Sequence, residues 1–207
     1  MRIAAVHASA ESDLARRALA LALAQAPSRL FLFGAAASVA AAQVRREQAQ
    51  QDERYLDVAA RWLLDRGGGA PPTRAGLSVP LLEIGVAVGE GGEWSPLPST
   101  DRAIELIGTQ LCMAVPHRDR VRGEEWDNAA LWILGGEDQP GLELCRDRPV
   151  VAPGDASAGA GPAIVDLGPA AAQVFFLDCS GNPGPTQSHN FTSGARISVQ
   201  AGGGERR

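Results

Sequence analysis

Lysine does not occur in the 207 residues, and all 19 basic side chains are arginine. That excludes Schiff-base chemistry and a Walker-type phosphate lysine. Histidine is nearly as scarce, at 3, which limits any centre built on imidazole ligands. Cysteine is also rare: Cys112, Cys145 and Cys179 lie far apart and form no CxxC pair. They read as unpaired thiols in a reducing compartment, so the expected location is the cytoplasm. No apolar run approaches the ~20 residues of a bilayer span, so no membrane partner is expected. The opening ten residues have too short an apolar stretch for a secretion signal and read as a first strand. The formal net charge of -5 argues against nucleic acid as a partner. What is present, 45% hydrophobic and 21% charged residues, is the balance of a globular protein. The length suits one domain that can bury a core without disulfides or a structural metal.

Ile3 to Val6 reads as a buried strand. Ser12 is placed to cap a helix from Asp13 to about Gln25, with Leu14, Ala18, Leu21 and Leu23 on its apolar face. Leu30 to Phe33 is a second buried strand. Ser38 to Leu64 is helical; its polar middle, Arg45 to Arg54, reads either as a bulge between two helices or as one helix crossing solvent. Gly67 to Pro72 breaks it. The second half is mostly β, with strands expected at Leu82 to Val88, Gln110 to Val115, Ala130 to Leu134, Leu142 to Cys145, Val150 to Val151, Ala163 to Leu167 and Val174 to Leu177. Asp101 to Leu106 reads as a short helix or turn. These boundaries give a domain over 1-180 and a polar, partly disordered tail over 181-207, with Ile197 to Val199 as a candidate edge strand. Strand–helix alternation followed by mostly β segments points to a layered α/β fold with sheet on sheet inside.

In such folds chemistry gathers in the loops after the strands. Here they are HASAES (His7 to Ser12), FGAAAS (Phe33 to Ser38), GEGGEW (Gly89 to Trp94), PHRD (Pro116 to Asp119), GGEDQP (Gly135 to Pro140) and APGDAS (Ala152 to Ser157). Their order, with Pro153 and Gly154 in the last, resembles the calcineurin-like metallophosphoesterases, in particular their small phosphodiesterase branch. That family shows D-x-H-G-N, then G-D, G-N-H-D/E, H-G, G-H-x-H and N-P-G-S. The resemblance covers Met1 to about Cys179 and implies a four-layer α/β/β/α sandwich.

The departures fall on the ligands. Carried over by order, the first Asp and His of the family fall on Ala8 and Ala10, and the Asp of G-D on Ala35. The third motif falls on Gly91 and Gly92, with Glu93 in the acidic place. The two histidines of G-H-x-H fall on Gly136 and Asp138, and only His117 stands where the resemblance implies a ligand. A two-metal centre needs a bridging carboxylate and several imidazoles, and alanine offers no lone pair. The expectation is therefore no metal and no other cofactor.

Other readings are weaker. Glu90, Glu93, His117, Asp119, Glu137 and Asp138 would suit a hard cation if they converged, and that defines the alternative, a divergent one-metal phosphodiesterase. Ser157 lacks the G-x-S-x-G frame, although it could form a triad with His117 and an aspartate. The glycines at 89 to 92 lack dinucleotide spacing. The first strands also resemble a DsrE-like sulfur carrier, which needs a reactive cysteine at a strand end, whereas Cys112 lies mid-strand. Cys179 has no basic neighbour in sequence to activate it, His189 lies in the polar tail, and the sequon at Asn190 is silent in a cytoplasmic protein. Trp62 and Trp132 read as core, while Trp94 and Trp126 lie in loops beside the altered motifs and are the candidate anchors for a protein partner. The sequence thus points to a metallophosphoesterase-like protein without catalytic metals, acting as a binding or scaffold subunit.

Overall fold

The computed structural model describes residues 1–64, 80–89, 96–107 and 110–191. Strand β1 (Arg2–Ala8) is parallel to β2 (Arg29–Gly34), which is parallel to β3 (Gly85–Val88) and through it to the short β4 (Ser99–Thr100). On the other side of β1 the sheet continues antiparallel through β10 (Ala160–Leu167), β11 (Ala171–Asp178) and β12 (Gln187–Asn190). A second sheet has the order β5 (Ala103–Ile107), β6 (Gln110–Val115), β7 (Leu131–Leu134), β9 (Arg148–Ala152), β8 (Gly141–Cys145). Its three central strands are parallel and both edges antiparallel.

Period-2 alternation sorts the side chains into layers. Along β1 and β2, Ile3, Ala5, Phe31 and Phe33 face the core between the sheets, where they meet Ala114, Ile133 and Val151. Ala4, Val6, Leu30 and Leu32 face the helices α1 (Asp13–Ala24) and α2 (Ala35–Leu64). Ser12 caps α1 by accepting from the Ala15 N–H at 3.0 Å. The face α1 buries is Ala15, Ala18, Leu19 and Ala22, rather than the expected stripe through Leu14. The alanines let the helix lie close on the small residues Ala4 and Ala8, and Leu14 is left exposed.

The helical stretch proves to be one helix of 30 residues, about 45 Å long. Its core residues end at Val44, and the described side chains from Arg45 to Arg61 are exposed or half-buried. On the outer face of the second sheet, Trp132 and Leu134 are covered by Val121 and Trp126. These two come from 3-10 turns and their flanks at Arg118–Arg120 and Glu125–Asn128, so among the described residues short turns cover this outer face. Pro116 and Gly123 interrupt this short connection.

Two expectations need correction. Only Gly85–Val88 of the expected strand at 82–88 is β, and Pro80–Ile84 is a helical turn, α3, opened by proline at a position that tolerates it. Asp101 to Leu106 is not helical: Ala103–Ile107 is strand β5, paired with β6 so that Ile104 faces Met113 in register. Within the expected polar tail, Gln187–Asn190 is strand β12, held by β11. Ile197 to Val199 and Gly202 to Arg207 lie outside the described residues, as does the break at Gly67 to Pro72.

Candidate functional site

The parallel strands of both sheets end on one side of the molecule, and a cavity of about 650 Å³ opens there. The polar groups lining it are His7, Ser38, Asp101, Arg102, His117 and Arg120. All but Ser38, in the first turn of α2, come from a strand end or the connection after it, where side chains from both sheets can converge.

His7 is the cleft-facing residue at the end of β1. It shares a face with Ile3 and Ala5, whereas Ala8 turns to the helix side and packs in that core. The His7 side chain is 8% exposed, and its Nδ1 is buried without a hydrogen-bond partner. The imidazole lies over Gly34, where a Cβ would sit 3.4 Å from the ring Cε1 and 2.5 Å from the Ala8 carbonyl oxygen. Gly34 also has φ +59, so the position suits only glycine on both counts. Burial lowers the pKa of His7; Asp155 opposes that shift and His117 reinforces it. Burial thus favours the neutral form of the His7 imidazole.

His117 precedes the turn at Arg118 and lies against Gly136. A Cβ on Gly136 would fall within 2.6 Å of His117 Cε1 and closer still to Nδ1, and Gly136 has φ +72. The ring thus occupies the space that a side chain at 136 would need. Arg102 is engaged by Glu125, with 3.3 Å to each carboxylate oxygen, and donates to the Arg120 carbonyl at 3.1 Å.

The most densely bonded group at the rim is Asp155, 8% exposed, in the loop between β9 and β10. Its Oδ1 accepts from the Ser9 N–H at 3.0 Å, the Ser157 N–H at 2.9 Å and the Ser157 hydroxyl, while Oδ2 accepts from the Ser9 hydroxyl at 2.6 Å. Burial pushes the Asp155 pKa up, but the hydrogen bonds from Ser157 and Ser9 outweigh it and hold the carboxyl well below the usual range.

These residues do not fit the metal pair the resemblance implies. Ala8 is buried on the wrong side of the strand, and Ala10 is exposed and offers the site only its backbone N–H, which donates to Ser157 Oγ. Ala35 lines the cavity without a donor atom, and Gly136 has its side-chain space filled by His117. Among the described residues, no group of three or more His, Cys, Asp and Glu side chains could hold a metal ion. Glu90, Gly91, Gly92, Glu93 and Trp94 lie outside the described residues. Of the remaining acidic candidates, Glu137 is paired with Arg118, and Asp119 and Asp138 are exposed.

Trp126 is not an exposed anchor. It is buried against Trp132, with ring centroids 5.1 Å apart, and its carbonyl accepts from Trp132 Nε1 at 3.1 Å. The Arg118 guanidinium lies over its ring, 5.9 Å from the centroid. Ser157 spends its hydroxyl on Asp155 and is not placed as a nucleophile beside His117. Cys112 is buried mid-strand, and that burial pushes its thiol pKa far up, so it does not serve as the reactive strand-end thiol a sulfur carrier needs. His7 and Asp155 were not among the sequence candidates, although the alternation Ile3, Ala5, His7 places His7 inward.

No family model and no curated protein matches this sequence. Solved structures do match in fold. A conserved protein of Streptococcus pneumoniae described as a predicted phosphoesterase is 13% identical, with TM-score 0.53 over 91% of this chain and 97% of its own. YfcE, a phosphoesterase from E. coli, is also 13% identical, with TM-score 0.52 over 92% and 100%. Vacuolar protein sorting 29 from Cryptosporidium parvum is 10% identical, with TM-score 0.52 over 92% and 97%. The chain has the fold of the small calcineurin-like phosphoesterases.

Proposed function

We propose that this protein uses the phosphoesterase fold for binding and not for hydrolysis, with a protein partner docking at the mouth of the cleft. The observation that carries this reading is the pairing of an open, structured cleft with ligand positions that offer no donor: Ala35 on its wall, and Gly136 with His117 folded into its place. Without a cation pair, a water in this cleft has no Lewis acid to lower its pKa and no clamp for the phosphoryl oxygens. The groups that remain suit recognition. Asp101 lines the cleft, Arg102 is held there by Glu125, and Ser38 is exposed at the start of α2. Beyond the cleft, α2 extends past the core with Leu56 at 61% exposure, and Ile104 and Leu106 stand out from β5, apolar area of the kind that partners cover. Three free cysteines accord with a cytoplasmic location.

The test is hydrolysis of a chromogenic phosphodiester across a panel of divalent cations. The expected result is no turnover above that of the metal salts alone. Turnover that is lost on chelation and in His117→Ala would favour the one-metal phosphodiesterase instead. For the binding arm, a photoreactive side chain at Ser38 is expected to cross-link a defined partner. Filling the cleft with Ala37→Trp is expected to abolish that cross-link.

A further inference from the structure

A cation pair held at the positions named above would draw ligands from both sheets and so tie their rims together. Among the described residues no group of side chains supplies that tie, yet the rim is ordered around one buried carboxylate. We infer that Asp155 is the cross-link between the two sheets at the cleft, a hydrogen-bonded substitute for a metal bridge. Its side chain holds Ser9, just beyond the end of β1 in the larger sheet, through both the N–H and the hydroxyl. Its own N–H donates to the Asp138 carbonyl at 3.1 Å, in the loop after β7 of the smaller sheet. The Asp155 backbone also bridges that of His7, and its carbonyl accepts from the N–H groups of Ala158 and Ala160. Ser157 completes the set: its hydroxyl donates to Asp155 and accepts from the N–H of Ser9 at 3.1 Å and of Ala10 at 3.2 Å. Every donor in this knot has an acceptor, and the hydrogen bonds to the ionised carboxylate are of the strong, charge-assisted kind. Gly154, with φ +75, turns the chain so that Asp155 enters; a Cβ there would lie 2.5 Å from the Pro140 backbone nitrogen. His7 and the cleft wall are thereby held in place before any ligand arrives.

The experiment is hydrogen exchange with thermal melting on Asp155→Asn and on the milder Ser9→Ala. Asparagine keeps the shape but replaces one acceptor oxygen with a donor that faces other donors. Asp155→Asn is expected to lower the melting temperature by roughly 5–15 °C. It is also expected to speed exchange at least tenfold on both rims, at Ser9 and Ala10 and in the segment Gly135 to Pro140. Ser9→Ala is expected to do the same to a smaller degree, so the test survives if Asp155→Asn does not fold. Faster exchange confined to 155–158 in either variant would mean a local loop cap and would overturn the cross-link. Neither readout depends on a partner or on hydrolysis, so the result stands apart from the proposed function.

Discussion

Replacing Gly136 with alanine tests how closely the His117 ring packs over that position. Two costs are expected. The first is backbone strain, since φ +72 lies in the left-handed region where an L side chain costs about 1–2 kcal/mol. The second is the overlap of the new Cβ with the His117 ring, with the Pro116 carbonyl oxygen 3.1 Å away on the backbone side. His117 is exposed and can swing out, so the overlap converts to loss of its packed position, roughly 0.5–1 kcal/mol by the usual scale of coupling between touching residues. Gly136→Ala should therefore destabilise by about 1.5–3 kcal/mol in urea unfolding. In a His117→Ala background only the strain should remain, so the double-mutant cycle should show coupling. The His117 ring resonances should move toward those of a solvated imidazole in the single variant. An unchanged unfolding midpoint together with unchanged ring resonances would refute the reasoning, because it would mean that the space at 136 is empty.

Two further expectations concern titration and thiol chemistry. Asp166, held low by its hydrogen bonds from Arg2, and Asp155 both have folded pKa values below their unfolded ones. Their contribution is complete above about pH 4 and is lost as pH falls through the folded values. Urea midpoints should accordingly drop on acidification below about pH 4, with a shallower drop in Asp155→Asn; superimposable acid profiles would count against this. Cys179 is exposed and Cys145 half-buried, whereas burial and the Glu105 carboxylate both push the Cys112 thiol up. A thiol reagent on the native protein should therefore modify Cys179 rapidly and leave Cys112 intact until unfolding.

Much of the fold was legible because its signals are local. The β1–α1–β2 start follows from two short apolar runs and a serine cap, and the helix to Leu64 needed only the absence of a breaker before Gly67. The failures came where neighbours decide. Ala103–Ile107 looks helical in isolation, but its Ile104 and Leu106 are set by pairing with β6. Gln187–Asn190 has no strand-forming composition and is β because β11 offers it an edge. In the site, carrying motif positions by order placed the first ligand at Ala8, while strand alternation turns His7 to the cleft. Asp155 figured only as a spoiler of a nucleophile motif, since its partners Ser9 and Asp138 are distant in sequence. Trp126 looked like a loop residue and is core, because Trp132 needed an acceptor for its indole N–H.

The central claim is the proposed one, that the described residues of this cleft offer no place for a cation pair. Equilibrium dialysis against Mn²⁺, followed by elemental analysis of the protein, tests it directly. The account predicts no stoichiometric manganese at concentrations that load a dinuclear site. Two ions per chain, displaced together by His117→Ala, would contradict it.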